Sequence, residues 1–285
     1  MTSPRGGGDG TPPGRLYVVS TPIGNMGDFS FRGVETLNAA AVVLAEDTRH
    51  SRHLLDRYGI VTPMQPYHEH NEAKLTPRII ERLRAGDDVA LITDAGTPLV
   101  SDPGARLVRA AIDAGVAVVP VPGASAVMAA LVAAGFPAEP FTFFGFLARS
   151  GSDRSRRLVE IAQSPFTCVV YEAPGRVVDT LAAVAERAGV DRPAAVAREL
   201  TKVHEEIRRG TLGELAAYYA AMPPKGEVVI VVSAAPAPVL DETALRERAR
   251  DLRAQGYSVR DTAAELTREF DAPRNHAYRV ARDAE

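Results

Sequence analysis

Short runs of aliphatic and β-branched residues alternate with stretches of helical spacing along most of the chain. Leu16-Tyr17-Val18-Val19 reads as a buried strand. Residues 31–40 follow with helical spacing and Ser30 in the N-cap position. Residues 41–45 read as a second strand, 51–58 as a short helix, and 72–84 as a longer one stopped by Gly86. Residues 89–92 and 116–119 are the third and fourth strands. Between them a helix is expected over 103–114, with Asp102 as N-cap, Pro103 at its first position and Gly115 at its end. Apolar strands alternating with helices in this way predict a mostly parallel α/β sheet covered on both faces.

The pattern changes after residue 140. Strands are expected at 141–146, 167–171, 194–198, 204–209 and 227–232, with helices near 154–162, 176–188 and 211–220. Two strand-like segments so close together in 194–209 predict a mixed, partly antiparallel sheet. After Pro238 come three amphipathic helix candidates, 243–254, 258–269 and 273–283. Gly256 separates the first two, as in a small helix-turn-helix-like appendage. The Gly/Pro-rich residues 1–14 have almost no apolar content and are expected to be disordered. The organisation predicted is therefore a tail over 1–14, an N-terminal α/β domain over 15–123, a C-terminal α/β domain over 124–237 and a helical extension over 241–285.

Composition narrows the class. The 285 residues are 46% hydrophobic and 24% charged, as in a soluble globular protein, and the absence of Trp leaves the core to Ala, Val and Leu. The single Cys168 sits in an apolar run, reads as a buried inert thiol, and fits a reducing compartment. The N-terminal stretch lacks the apolar segment of a secretory signal, and no run is long enough to span a bilayer, so a cytoplasmic location without membrane contact is expected. The net charge of −3 argues against loose, general nucleic-acid binding but leaves room for a local basic face.

Four turn-rich loops follow apolar strands, where ligands bind in an open α/β sheet. The first runs from Ser20 through Pro22 and Gly24 to Asp28, and matches neither a dinucleotide fingerprint nor a phosphate loop. The second, from Glu46 to His53, packs Glu46, Asp47, Arg49, His50, Arg52 and His53 directly after a strand. It reads either as a helix-capping face or as a proton-handling and phosphate-binding site. The third, from Thr93 to Gly104, carries Asp94, Ala95, Gly96, Ser101 and Asp102. Its small residues admit a ligand to the backbone, and its prolines stiffen it. The fourth, Pro120 to Ala126, brings Ser125 to the start of an Ala-rich helix, either as a polar contact or as a tight hinge. His68-Glu69-His70 lacks the Cys cluster or His-Glu-x-x-His spacing of a zinc site, so no metal is expected. No serine has a Gly-x-Ser-x-Gly setting, which removes the hydrolase reading.

The segments STPIGN, EDTRHSRHLL, HEHNE, DAGTPLVSDPG and VPGASA, with RELTK-x-HEE and KGE later, resemble the small-subunit ribosomal RNA methyltransferase I family of the tetrapyrrole-methylase superfamily. The resemblance covers about residues 15–233, and the tail from about 241 is similar to that family's C-terminal extension. It implies an α/β, two-domain tetrapyrrole-methylase-like fold, each domain a sheet flanked by helices, plus a short helical C-terminal extension. It implies a homodimer that binds S-adenosyl-L-methionine between the domains. It also implies methyl transfer to the ribose 2′-hydroxyl of a cytidine in the decoding region of 16S rRNA, within the small ribosomal subunit.

Carried onto this chain, the resemblance places the cofactor against Pro22, Gly24, Asp94, Ala95, Gly96, Ser101, Ser125 and Ala126. Tyr171, Arg198 and Gly226 join them from the second domain. Candidate bases for the hydroxyl proton are Glu46, Asp47 and His50, and Arg49 and Lys202 are candidates to hold flanking phosphates. RNA contacts are expected from Arg52, His68 and His70, and from Arg149, Arg154, Arg156 and Arg157 in a Ser/Gly-rich loop, which reads equally as a solvated flexible loop. The alternative within the same chemistry is a methyltransferase for a tetrapyrrole or another small molecule. Such relatives generally open with Gly-x-Gly-Pro-Gly where this chain has TPIGN. A second alternative, an RNA-binding or ribosome-assembly protein without activity, would lack a cofactor pocket.

Overall fold

Alternate residues of the first strands face opposite ways, and both faces are apolar. Leu16, Val42, Leu44, Val89 and Leu91 meet Leu83 and Leu107 on one side, while Val19, Val43, Ala45 and Ile92 meet Leu37 and Leu55 on the other. The computed structural model, which describes residues 12–236 and 241–284, accordingly has a five-stranded parallel sheet here. Its strands are β1 (Leu16–Val19), β2 (Val42–Ala45), β3 (Met64–Pro66), β4 (Val89–Leu91) and β5 (Val118–Val121), in the order β3-β2-β4-β1-β5. Helices α1 (Phe31–Ala39), α2 (Thr48–Arg57), α3 (Glu72–Arg84) and α4 (Ala105–Asp113) cover it. Ser30 caps α1 by accepting from Gly33 N at 3.0 Å, a contact worth about 1 kcal/mol.

This strand order fixes where a ligand can sit. From β1 the chain crosses outward to β2, and from β4 it crosses the other way to β5. The neighbours β1 and β4 thus mark the topological switch, and the crevice lies beyond their carboxyl ends.

The second sheet holds β6 (Phe141–Phe146), β7 (Thr167–Glu172), β8 (Pro193–Arg198), β9 (Glu206–Thr211) and β10 (Val228–Val232), in the order β6-β7-β10-β8-β9. Only β6 and β7 run parallel; the remaining pairs are antiparallel, as the closeness of β8 and β9 predicts. Helix α5 (Ala126–Ala134) packs on one face. Helices α6 (Gly151–Gln163), α7 (Val177–Ala188) and α8 (Leu212–Ala221) share the other. Val228 pairs with both Glu172 and Arg198, so the carboxyl ends of β7 and β8 and the start of β10 lie at one end of the sheet. Ile23, from the loop after β1, is buried in the α5 cluster beside Val127 and Val229, which joins the two sheets.

Both sheets belong to one compact unit ending at Ala235, and the chain passes between them at the segment joining β5 to α5. From Pro236 a second unit holds α9 (Glu242–Ala254), α10 (Val259–Phe270) and α11 (Arg274–Asp283), around Leu245, Leu252, Leu266 and Ala277. No helix among the described residues is long and apolar enough to cross a membrane.

Several elements depart from the sequence reading. β3 was not expected; its Gln65 and Pro66 break the apolar pattern, and its place at the sheet edge tolerates them. β5 starts two residues late, because Val116 N still bonds Ala111 O of the preceding helix and Leu16 sets the pairing at Val118. α2 begins at Thr48, since Asp47 is already its N-cap. α4 begins at Ala105 with Gly104, at φ 125°, as N-cap, which leaves Asp102 and Pro103 in the loop. The arginines at 154, 156 and 157 stand on α6 rather than in a flexible loop. Gly14 is buried, its N donating to Leu83 O at 2.8 Å, whereas residues 1–11 of the expected disordered tail lie outside the described residues.

Candidate functional site

The loops after β1 and β4 are stitched together at the switch point. Thr21 and Gly96 exchange backbone hydrogen bonds at 2.8 and 3.2 Å, and Thr21 Oγ1 donates to Thr93 O at 3.1 Å. Gly96 has φ 84°, a backbone conformation that favours glycine. Leu99 and Ser101 also have positive φ, at 73° and 69°, so the 93–104 loop holds strained backbone of the kind that gathers at functional sites.

Against these loops stands the end of the second sheet, and the cleft between them has two adjoining lobes. The first, of about 460 Å³, is lined by Glu46, Asp94, Ala95, Gly96, Ser101, Asp102, Ser125 and Ala126 on one side, and by Phe146, Tyr171, Glu172 and Gly226 on the other. The second, of about 340 Å³, is lined by Thr21, Pro22, Gly24, Met26, His50, Ser51, His53, Leu54 and Lys202. Ile23, Asp94, Ala95 and Glu227 face both.

Three carboxylates give the first lobe its character. Glu46 directly follows β2, Asp94 follows β4, and Asp102 lies in the strained loop. Thr93 Oγ1 donates to Glu46 Oε2 at 3.3 Å. Burial, with the neighbouring charge of Asp94 next in importance, raises the Glu46 pKa. Asp102 is pushed up to about 6, mainly by burial and further by the neighbouring carboxylates of Glu46 and Asp94. The lobe's floor is Glu172, whose side chain is fully buried. It is satisfied by Thr180 Oγ1 at 2.6 Å, Ala173 N at 2.9 Å and Arg176 Nε at 3.1 Å.

A clasp closes the cleft beside the second lobe. Lys202 Nζ bridges Glu199 Oε1 at 2.9 Å and Glu227 Oε2 at 3.0 Å, and Asn25 N donates to Thr201 Oγ1 at 3.1 Å. The Lys202 stem lies over Gly24, where an added Cβ would sit 2.4 Å from Lys202 Cγ. Glu199 covers Gly226 in the same manner, at 2.1 Å from such a Cβ.

The structure sorts the residues singled out from sequence. Asp94, Ala95, Gly96, Ser101, Ser125, Ala126, Tyr171 and Gly226 converge on the first lobe, and Pro22 and Gly24 stand in the second. Arg198 lies outside both, paired with Glu206 at 2.6 Å beside a separate depression with Tyr218 and Tyr219. Glu46 lines the first lobe, and His50 and Lys202 line the second. Asp47 and Arg49 line neither; they form a two-point pair at 3.3 and 3.1 Å at the start of α2. The Arg49 hydrogen bond holds the Asp47 carboxyl down at about 2, which leaves it a poor proton acceptor near neutrality. Arg52 and His70 are exposed. His68 is half-buried, takes a 3.1 Å contact from Asn71 Nδ2, and lines neither lobe.

Of the basic run, Arg149 is exposed, while Arg154 donates to Thr180 Oγ1 at 3.0 Å and Ala148 O at 3.2 Å. Arg156 pairs with Asp153 and Glu160, and Arg157 with Glu160 at 2.8 Å. Asp102, read from sequence as a helix cap, and Ser51, unremarked within its motif, are cavity residues. The polar type of Asp102 in a Gly/Pro-rich loop was the signal available for it.

The sequence pattern of the tetrapyrrole (corrin/porphyrin) methylases matches residues 15–216. A ribosomal RNA small subunit methyltransferase I of Synechocystis sp. is 42% identical over 275 residues, 95% of this chain and 99% of the relative. The protein of the same name from Mesorhizobium japonicum is 48% identical over 223 residues, 78% and 76% of the two chains. The chain belongs to the ribosomal RNA small subunit methyltransferase I family. Use of S-adenosylmethionine as methyl donor follows from that membership. The fold is shared with the solved methyltransferase CobJ, at 20% identity and a TM-score of 0.60 over 78% of this chain and 95% of that one. It is shared as well with uroporphyrin-III C-methyltransferase of Thermus thermophilus, solved with S-adenyl homocysteine, at 21% identity and a TM-score of 0.56 over 77% and 97%.

Proposed function

We propose that the protein methylates the ribose 2′-hydroxyl of a cytidine in the decoding region of 16S rRNA, acting in the cytoplasm as a homodimer. The observation that carries the reading is the two-lobed cleft at the switch point, in which a carboxylate-lined lobe of cofactor size adjoins a second lobe. The names of the relatives support ribosomal RNA as the acceptor, and the 2′-oxygen of a cytidine follows from the resemblance of the five loop motifs. In this reading the domain of residues 15–123 supplies the switch-point loops, the domain of 124–237 closes the cleft, and the helices of 241–285 are an extension.

The residues of the first lobe fit S-adenosylmethionine. Glu46, Asp94 and Asp102 match a cationic ligand. Glycine at 96, with φ 84°, lets the backbone approach it, and Ser125 and the first turn of α5 offer polar contacts. When bound, the cofactor supplies an electrophilic sulfonium methyl whose leaving group is a neutral thioether. The chain's own work is mostly positioning, which alone can lower a bimolecular barrier by about 7–11 kcal/mol. Residues shared by the lobes, Ile23, Asp94, Ala95 and Glu227, set the line between donor and acceptor. As the new C–O bond forms, the hydroxyl proton must leave. Glu46, with its raised pKa, and His50 are the acceptors among the candidates that line the lobes.

The test is transfer of labelled methyl from S-adenosylmethionine to 30S subunits lacking the modification, with free 16S RNA and a porphyrinoid in parallel and the labelled position mapped. Label on a cytidine ribose is the expected result. Label on the porphyrinoid alone overturns the reading in favour of the small-molecule alternative.

A further inference from the structure

Ser51 stands in the first turn of α2 and is 3% exposed. Its Oγ has no hydrogen-bond partner among the described residues. A helical serine commonly donates to the carbonyl four residues back, which also accepts its backbone N–H; here the backbone bond from Ser51 N to Asp47 O is made at 3.0 Å, but the hydroxyl adds none of its own. Buried hydroxyls are ordinarily paired, because leaving one unpaired costs more than a hydrogen bond gains. The residue lines the second lobe of the cleft, so the buried, unpaired hydroxyl belongs to a wall residue of a built cavity.

The rest of that lobe has a definite chemistry. Ile23, Met26 and Leu54 give it apolar surface, and the exposed His50 and His53 stand on the α2 side. Its volume, about 340 Å³, lies at the small end of ligand sites, and it adjoins the first lobe through Asp94 and Ala95. A methyl acceptor has to enter a space contiguous with the donor, with reacting atoms about 3–3.5 Å apart. A base splayed out of an RNA strand needs apolar surface for its faces and a polar group for an edge, with cationic or hydrogen-bonding groups near its phosphates. The second lobe has each of these.

We infer that the second lobe is the subsite for the acceptor nucleoside of a single-stranded RNA segment, and that Ser51 Oγ is the buried polar contact that selects it. The inference rests on the RNA-methyltransferase reading and adds to it the place of the acceptor and a specificity-determining residue.

The test uses the full-length protein, its Ser51→Ala variant and the isosteric Ser51→Cys variant. Three quantities are measured for each: thermal midpoint, S-adenosylmethionine affinity by calorimetry, and kcat/KM for methyl transfer to the RNA substrate. Because the hydroxyl is idle in the free protein, Ser51→Ala is expected to keep or raise the thermal midpoint. Cofactor affinity is expected to stay within about twofold, while kcat/KM for RNA falls about tenfold, the effect of losing one buried hydrogen bond. Ser51→Cys, with its weak S–H donor, is expected to fall between. A wild-type kcat/KM in Ser51→Ala overturns the inference and leaves the RNA reading standing. A lowered midpoint with cofactor binding lost in step overturns it in favour of a structural serine. Failure of the unsubstituted protein to methylate any RNA overturns both.

Discussion

The two lobes of the cleft are built by different means. The first is shaped largely by backbone, with positive φ at Gly96, Ser101 and Gly226, and by carboxylates at the ends of strands and in a stiff loop. The second has positive φ at Gly24 in the β1 loop, but is otherwise shaped by side chains that project from α2 and by the clasp lysine. A backbone-built pocket is hard to retune by substitution, because each change of φ costs about 1–3 kcal/mol. A pocket faced by helix side chains can be altered one residue at a time. The first arrangement suits a fixed ligand such as a cofactor, and the second suits the reading of a particular acceptor.

The largest effect is expected where the first lobe's floor is undermined. Arg176→Ala leaves Glu172 buried with its cationic partner gone, and chemical denaturation should show a loss of about 3 kcal/mol. A loss below about 1 kcal/mol, the range of exposed pairs, would mean that the floor is supported by Thr180 and the Ala173 amide alone. Next comes the charge at the seam. Asp94→Asn keeps an acceptor for Asp47 N but removes a negative charge. Affinity for S-adenosylmethionine should drop about tenfold, and affinity for the product, which lacks the sulfonium charge, much less. Equal losses for the two ligands would deny the carboxylates their role in recognising the cation.

A smaller effect is tied to pH. The Asp102 carboxyl has a folded pKa near 6 against an ordinary 3.8, so the folded state holds its proton more tightly than the unfolded chain does. Its favourable contribution is complete below pH 3.8 and is lost as pH rises through about 6. Asp102→Asn should therefore be more stable than the parent at pH 8, by about 1 kcal/mol once solvent screening at this half-buried site is allowed for. The gain should shrink as pH falls below 6. A gain that does not change with pH would place its origin elsewhere than in this carboxyl. The smallest effect belongs to the basic face of α6. Arg156 is already held by Asp153 and Glu160, so Arg156→Ala should change RNA affinity less than about twofold. A larger loss would bring α6 into the acceptor surface.

The same contrast explains what could be read from sequence. The strands of the parallel sheet are apolar on both faces, so Leu16–Val19, Val42–Ala45 and Val89–Leu91 stand out without further information. Edge strand β3 carries Gln65 and Pro66 and owes its pairing to β2 alone, which no local pattern reveals. Asp102-Pro103 looks like a helix start, but the positive φ at Gly104 moves the start to Ala105 and releases Asp102 to the cavity. The Gly/Pro/Asp composition of the 93–104 loop was a sufficient signal for the first lobe. For the second lobe the sequence offered polar residues by the handful in 46–53, and only the helix phase separates His50, Ser51 and His53, which line it, from Asp47, Arg49 and Arg52, which do not.

The division of labour between the lobes is the central claim, and calorimetric titration of S-adenosylmethionine tests it most directly. Ala126→Phe fills the first lobe at the start of α5, and Met26→Trp narrows the second from a position already 37% exposed. The account predicts that Ala126→Phe weakens cofactor binding by about thirtyfold or more. It predicts that Met26→Trp leaves cofactor binding within about twofold while methyl transfer to RNA falls. Loss of cofactor binding in Met26→Trp, or wild-type binding in Ala126→Phe, would contradict it.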